Sequence, residues 1–237
     1  MGVMFATEIS MIALLGLGFL LGLKHAVEAD HLAAVSTIVA DGKNILGSAI
    51  VGGFWGVGHT ITLLLIGALV IFFKFTISGT LETKLEAVVG VMLVILGVNT
   101  LRKLRKKEKI HVHTHEHEGH KHTHIHTHED EKKETTHHFS KLSPRSMIIG
   151  MVHGIAGSAA LMLLIVPTID TAGLAMLYIL VFGIGSIGGM ILMSLLIGLP
   201  MHFTAGRFQA LNRILVGVAG MLSFGLGVFI VYDKLVA

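Results

Sequence analysis

Six apolar stretches, each long enough to cross a lipid bilayer as a helix, limit the folds that this chain can adopt. A helix needs roughly 20 apolar residues to cross about 30 Å of hydrocarbon. Only 14% of the residues are charged, against about 25% in soluble domains. We therefore predict an all-α membrane protein with six transmembrane helices. The predicted spans are residues 8–38, 45–73, 85–102, 145–167, 172–198 and 210–232.

The two halves of the chain share landmarks that recur at nearly one offset. These pairs are His25 and His153 (128 residues apart), Gly56 and Gly183 (127), and Gly90 and Gly220 (130). Such spacing indicates a duplicated three-helix unit. An odd number of spans in each unit makes the two repeats inverted, a plan in which transporters bind their substrate between the repeats. The predicted parts are a first repeat in residues 1–103, a disordered histidine-rich loop in residues 104–143 and a second repeat in residues 144–237.

Lysine and arginine are distributed unevenly between the two predicted sides of the membrane. One side receives fourteen of them, eleven of which lie between Arg102 and Arg145, and the other side receives three. The positive-inside rule places the histidine-rich loop in the cytoplasm and both termini outside, in a cell membrane crossed several times. Because orientation accounts for the basic residues, nucleic acid is not expected as a partner.

Polar residues interrupt the first span at His25, Asp30 and His31. Imidazole and carboxylate groups are costly in hydrocarbon unless something satisfies them. Both are ligands for divalent transition metals, and the chain has no cysteine to offer sulfur. His59 in the second span and His153 in the fourth are further candidate ligands.

The spacing of the first three polar residues predicts that the first span is broken or kinked. On a straight helix Asp30 lies roughly 140° from His25, and His31 lies about 120° from it on the other side. Either the helix is distorted here or the three residues have different tasks. The glycines that make distortion easy are Gly16, Gly18 and Gly22.

Two neighbours are candidate supporting residues around the metal. Glu28 lies three residues before His31 and would orient that ligand from behind. Lys24 would pair with Glu28 or extend toward the membrane surface.

The simpler interpretation of the site is that individual histidines, such as His59 or His153, only hydrogen-bond nearby backbone. A proton relay built from aspartate and histidine is a second alternative. For His202 we expect no more than a position at the membrane surface.

The sequence resembles the nickel/cobalt transporter superfamily in three places. The run from Lys24 to His31 resembles the family signature position by position: a basic residue, His, Ala, an apolar residue, an acid, Ala, Asp and His. The run from Phe54 to Thr60 is similar to a second family motif, an aromatic-rich run that ends in Gly-His-Ser/Thr. The run from His153 to Ala160 is similar to a motif of the urease-accessory-like membrane branch. The resemblance implies that the metal is handled by His25, Asp30, His31 and His59.

A second group of histidines lies between the halves, with eleven in the 28 residues from 111 to 138. Such a polar stretch has no apolar periodicity, so we expect a disordered loop that binds metal. Zinc would bind there as well as nickel or cobalt. A linker that is histidine-rich only for solubility is the alternative. The histidines are His111, His113, His115, His117, His120, His122, His124, His126, His128, His137 and His138.

We predict that the protein transports a divalent transition metal, nickel or cobalt, by uptake. The expected partners are the lipid bilayer and the transported ion, with no prosthetic group, and assembly into a homo-oligomer is left open. An enzyme is not expected, because the sequence lacks a HExxH motif and an evident nucleophile with its base. Efflux through the same site and metal buffering by a urease-accessory membrane protein remain alternatives, and the histidine-rich loop fits all three.

Overall fold

The computed structural model of the chain consists mainly of α-helices. It describes the backbone of residues 2–40, 44–74, 78–105, 110–117, 120–127, 138–156, 166–169 and 171–236. The helices are α1 (Gly2–His25), α2 (Ala29–Val39), α3 (Ile45–Phe73), α4 (Gly79–Arg105), α5 (His138–Ala156), α6 (Ala172–Arg207) and α7 (Gln209–Leu235). A short 3-10 helix at Val166–Thr168 and two strands, β1 (Ile110–His117) and β2 (His120–Thr127), complete the described elements.

Several of these helices are suited to cross a membrane. Three are long and apolar enough: α3, residues 172–205 of α6, and α7. Helices α1 and α2 qualify together as one bent span, so the described residues contain three such spans, or as many as four. The other two predicted spans fall on α4 and on α5 with the residues after it, and neither is among these helices. A helical bundle with several apolar spans is confirmed, whereas the number six stays a prediction.

The first span is broken, as its sequence predicted. Helix α1 ends at His25 and α2 begins at Ala29, and the two helices are bent by 56°. Within the break the backbone of Glu28 is extended, with a ψ of 150°. The Glu28 N–H donates to the His25 carbonyl at 3.1 Å, and the Leu32 N–H donates to the Glu28 carbonyl at 3.0 Å. These bonds satisfy backbone groups that a break would otherwise leave unpaired inside lipid.

Helices from opposite halves of the chain pack against each other. The main pairs are α1 with α6, α3 with α5, α3 with α6, and α4 with α7. Between α4 and α7 the backbones touch, because Gly90 faces Gly227 and Gly97 faces Gly220. A Cβ atom on Gly97 would lie 2.7 Å from the Gly220 carbonyl oxygen, so a larger residue would force the helices apart.

The bundle carries apolar side chains outside and its polar residues within. Phe203 on α6 is 65% exposed, and Met221 and Phe229 on α7 are 67% and 63% exposed. Exposed apolar surface of this extent indicates a lipid or protein environment rather than water. The buried core, by contrast, contains four histidines at 0–1% exposure beside apolar residues such as Trp55 and Leu93. This arrangement places the costly polar groups at the centre of the bundle.

Part of the histidine-rich loop departs from the disorder that we predicted. Strands β1 and β2 pair antiparallel, and the register places His opposite His at four positions: His111 and His126, His113 and His124, His115 and His122, and His117 and His120. The residues between them include Val, Thr and Ile, which favour strands, and the two-residue alternation matches the period of a strand. Helix α5 also begins at His138, earlier than the predicted start of the second repeat at residue 144. His128 and His137 lie outside the described residues.

Candidate metal site

The break between α1 and α2 brings the first three predicted site residues to one place. His25 is the last residue of α1, and Asp30 and His31 lie in the first turn of α2. His59 comes from the middle of α3 and His153 from α5. We call these five residues the histidine cluster. All of the residues that the sequence predicted as intramembrane metal ligands therefore meet, and the bend removes the angular mismatch of a straight helix.

The four imidazole rings of the histidine cluster are in contact. The ring centroid of His31 lies 4.1 Å from that of His153, 4.4 Å from that of His25 and 5.4 Å from that of His59. The rings of His25 and His59 are 5.1 Å apart. All four histidines are at most 1% exposed. His31 is thus the central ring of a group that water does not reach from outside the protein.

Two overlapping triads are candidates for holding an ion, and because both include His31, only one of them can use the single lone pair of that ring at a time. The first is His25, His31 and His59, and the second is Asp30, His31 and His153. In each triad the three candidate ligand atoms lie within 4.8 Å of one another. Nitrogen and oxygen ligands sit about 2 Å from a divalent transition metal, so two ligands of one ion are at most about 4 Å apart. Small movements would therefore close either triad around an ion.

Asp30 connects two of the histidines. Its Oδ1 accepts a hydrogen bond from the backbone N–H of His31 at 3.0 Å and lies 3.1 Å from Nδ1 of the same ring. Its Oδ2 lies 2.8 Å from Nε2 of His153. If each neutral ring donates to this carboxylate, the lone pairs remain on Nε2 of His31 and Nδ1 of His153. A carboxylate behind a histidine is the usual support of a metal ligand, because it fixes the tautomer and the ring orientation.

The remaining imidazole nitrogens of the cluster are buried and have no hydrogen-bond partner in the described part of the chain. This holds for both ring nitrogens of His25 and His59, for Nε2 of His31 and for Nδ1 of His153. Nδ1 of His25 does lie 3.0 Å from Oε2 of Glu28, but without the geometry of a hydrogen bond. Each unpaired buried polar group costs about 1–3 kcal/mol. So many of them in one place indicate a site built for a ligand that accepts lone pairs.

Three predicted residues lie outside this arrangement or differ from their predicted contacts. Glu28 lies next to His25 rather than His31, because the break turns it back toward the end of α1. The support of His31 comes from Asp30 instead. Lys24 is exposed, and the ion pairs among the described residues do not include one with Glu28. His202 is exposed near the end of α6. The side chains of the loop histidines lie outside the description.

Two aromatic residues also pack against the cluster, and neither was predicted from the sequence. The Trp55 ring lies 5.4 Å from His31 and 5.6 Å from His153, and its Nε1 is buried without a hydrogen-bond partner. The Phe182 ring lies 5.6 Å from His25. Trp55 could have been predicted from its position four residues before His59, which places both residues on one helix face. Phe182 gave no comparable signal, because it comes from the other half of the chain.

Comparison with known proteins identifies relatives over nearly the whole chain. Residues 11–229 match the NicO family, described as "High-affinity nickel-transport protein". Urease accessory protein UreH of Bacillus sp. (strain TB-90) is 38% identical over 226 residues, which cover 95% of this chain and 93% of the relative. Chloroplast protein FOR GROWTH AND FERTILITY 2 of Arabidopsis thaliana is 24% identical over 219 residues, which cover 92% of this chain and 55% of that protein. No solved structure matches the chain.

Proposed function

Because this chain belongs to the NicO family of high-affinity nickel-transport proteins, we propose that its histidine cluster is where a nickel or cobalt ion crosses the helical bundle. The family predicted from the sequence motifs is thereby confirmed, and with it a multi-pass membrane protein of metal transport. The proposal adds the residues, the metal and the direction, which is uptake. The ion is the substrate of the protein, and no prosthetic group or catalytic step takes part.

The observation that carries the proposal is the set of unpaired, buried imidazole nitrogens. Neutral imidazole is a good ligand for nickel and cobalt. An ion that enters the cluster would contact Nε2 of His31 and nitrogens of His25 and His59, none of which has a hydrogen bond to a described residue. These contacts would replace the water that the ion loses on leaving bulk solvent. A structural role for each histidine would require a separate protein partner, and most of these nitrogens have none.

Asp30 has a supporting part in this proposal. Through its two oxygens it holds His31 and His153, which come from opposite halves of the chain. The carboxylate also supplies negative charge next to a divalent cation. A transported ion must leave again, so we expect incomplete coordination that exchanges easily rather than a closed four-ligand structural site.

We also propose that the six spans form two inverted three-helix repeats that move against each other. Matching contacts between the halves support this. Gly22 of α1 packs on the Phe182 carbonyl of α6, and Gly150 of α5 packs on the Trp55 carbonyl of α3. Gly150 follows Gly22 by 128 residues, and Phe182 follows Trp55 by 127. Exchange of the two halves therefore converts one contact into the other. Rocking of the repeats would alternate access to a site between them.

The histidine-rich loop has an accessory role in the proposal. With the loop in the cytoplasm and the termini outside, as the positive-inside rule favours, the loop would capture ions that arrive through the bundle. The paired register of β1 and β2 places histidines next to one another at four levels. Zinc would bind at such positions at least as well as nickel in solution.

Metal flux into liposomes tests the proposal. Full-length protein is reconstituted with a metal-sensitive dye inside, and Ni²⁺ is added outside. His31→Ala removes the residue that both triads share and should lower the flux by more than about 100-fold, beyond the loss expected from a supporting group. The matched control is His202→Ala, an exposed histidine near the end of α6, which should leave the flux unchanged. Normal flux through His31→Ala and Asp30→Ala would show that the ion takes another path.

Deletion of residues 111–138 separates transport from metal buffering, the role suggested by the urease-accessory name of the UreH relative. Transport through the spans predicts that nickel flux persists while bulk metal binding falls. A protein whose task is buffering would lose its function with the loop.

The direction of transport follows from the nickel content of cells that express or lack the protein. A higher content in expressing cells supports uptake, and a lower content supports efflux.

A further inference from the structure

Ser186 on α6 carries a buried hydroxyl that no hydrogen bond uses. The residue is 0% exposed, and its Oγ has no hydrogen-bond partner among the described residues. The buried hydroxyls of Thr60 and Thr62 on α3 differ, because they donate to carbonyls one turn earlier, at 2.8 and 3.2 Å. An unused buried hydroxyl is unfavourable, and Ser194 on the same helix has one as well, so a ligand is inferred for Ser186 only from the residues that surround it.

The contacts of α6 with α1 place Ser186 against the C-terminal part of α1, the helix that ends at His25. Phe182, one turn before Ser186, has its ring 5.6 Å from that of His25. Gly22, three residues before His25 on α1, lies directly against the Ser186 backbone, where a Cβ on Gly22 would be 2.9 Å from the Ser186 nitrogen. The two helices are in contact at the height of the histidine cluster, and Ser186 lies on the contacting side of α6.

The contacts of α6 with α3 also place Ser186 at the level of the histidine cluster. The Gly183 carbonyl accepts a hydrogen bond from Oγ1 of Thr60 at 3.3 Å. Thr60 follows His59 directly, and Ser186 follows Gly183 by three residues, which is just under one helical turn. Ser186 therefore lies where α6 meets both α1 and α3, next to the segments that carry His25 and His59.

The internal repeat relates Ser186 to His59. Gly58 and Gly185 are 127 residues apart, and the same offset leads from His59 to Ser186. Gly58 packs on the Met147 carbonyl of α5, and Gly185 packs on the Phe19 carbonyl of α1. The position that holds a candidate ligand in the first half thus holds an unpaired hydroxyl in the second half.

From these placements we propose that Ser186 is a further cation-binding residue, whose hydroxyl oxygen contacts the passing ion, or a water molecule bound to it, beside His25 and His59. The proposal rests on the transport function proposed above. A neutral oxygen adds no charge and binds nickel or cobalt more weakly than imidazole does. Such a contact would support the ion on the side of α6 without slowing its release.

A cysteine at position 186 provides the test, because the chain has no other cysteine. Purified full-length Ser186→Cys is titrated with Co²⁺. A thiolate that binds Co²⁺ produces a near-ultraviolet charge-transfer band, which nitrogen and oxygen ligands do not. We expect this band in Ser186→Cys. We also expect Ser186→Ala to lower Ni²⁺ flux by about tenfold, the lower end of the loss seen when a group next to a metal is removed.

Ser194 supplies a matched control on the same helix. It is equally buried, its Oγ also has no hydrogen-bond partner in the described structure, and it packs on Gly52, seven residues before His59 on α3. Ser194→Cys should show no cobalt band, and Ser194→Ala should retain flux. Cobalt on the loop histidines is the same in both cysteine variants. Absence of the band in Ser186→Cys, or an equal band in Ser194→Cys, overturns the assignment of Ser186.

Wild-type protein in the same liposomes separates the two proposals. Nickel flux through the wild type together with no cobalt band in Ser186→Cys would overturn the Ser186 proposal alone. A cobalt band in a protein that moves no nickel would support Ser186 as a ligand and overturn the transport path. A band in Ser186→Cys together with wild-type flux supports both proposals.

Discussion

At the scale of residues, the sequence could predict those site residues whose polar side chains are costly to bury in lipid. Histidines and an aspartate in apolar stretches need a common reason, and the structure brings all five together. The bridge that Asp30 makes from His31 to His153 could not be predicted, because it joins residues 123 apart in sequence. Trp55 and Ser186 were missed for another reason: tryptophan and serine are ordinary in membrane helices, and only their buried, unpaired atoms distinguish them.

The bridging role of Asp30 predicts a graded loss in Asp30→Asn. The amide has one acceptor oxygen, so it cannot accept from both rings as the carboxylate does. Ni²⁺ flux should fall by about 10- to 100-fold, the usual cost of removing the support of a metal ligand. Flux in liposomes measures this, and nickel-dependent thermal stabilisation in detergent measures the affinity.

Glu28→Gln is the matched control for that substitution. The Glu28 side chain is 42% exposed and pairs with His25, so we expect a loss of less than about threefold, because partly exposed charges contribute little. Equal losses in both variants would contradict the special role of Asp30.

At the scale of elements, the sequence predicted the break in the first span because the angular spacing of the polar residues did not suit a straight helix. The predicted spans 45–73 and 210–232 agree with α3 and α7 to within three residues at both ends, and the predicted span 172–198 begins where α6 begins. The paired strands of the loop were not predicted. Composition indicates disorder there, but it does not reveal that the histidines on either side of Glu118-Gly119 stand in mirror order.

Close packing of α1 on α6 predicts that Gly22→Ala is destabilising. A Cβ at this position would overlap the Phe182 carbonyl, which is backbone and cannot move aside alone. Overpacking of this type costs about 1–3 kcal/mol, so the midpoint of thermal unfolding in detergent should fall by several degrees.

Gly16→Ala tests whether that effect is local. A Cβ on Gly16, six residues earlier in the same helix, would meet no described atom within 4 Å apart from its chain neighbours and the nearby backbone of its own helix. Alanine favours the helix over glycine, so stability should be unchanged or higher by about 0.4–1 kcal/mol. Similar decreases in both variants would show that glycine is needed for helix flexibility and not for close approach.

At the scale of the whole molecule, the repeat and the orientation rest on sequence, and the contacts between halves support the repeat. The offset of 127–128 residues recurs in the packing of Gly22 with Phe182 and of Gly150 with Trp55. The number of spans could not be fixed in the same way, because α4 is charged at both ends and part of the fourth predicted span lies outside the described residues.

If the loop histidines bind metal, the full-length protein and a variant without the loop should differ in the amount of metal bound, and this difference should depend on pH. Ordinary imidazole has a pKa near 6.5, so about 90% is neutral at pH 7.5 and about 3% at pH 5. Neutral imidazole binds metal, so the Zn²⁺ held by the full-length protein should fall severalfold as the pH is lowered. Equilibrium dialysis of the full-length protein and of the variant that lacks residues 111–138 measures the loop contribution by difference. A difference that does not change with pH would exclude the loop histidines as its source.

The single carboxylate at the centre of the histidine cluster has an electrical consequence. Ligating imidazoles are neutral, so an ionised Asp30 offsets only one of the two charges of a bound Ni²⁺. If nickel crosses the bilayer at this cluster, as proposed, the loaded centre carries net charge, and each elementary charge is worth about 2.3 kcal/mol per 100 mV of membrane potential. A membrane potential that is negative inside would draw the ion into the cell without another energy source. An imposed potassium-diffusion potential, varied in sign across the liposome wall, shows whether nickel follows the voltage.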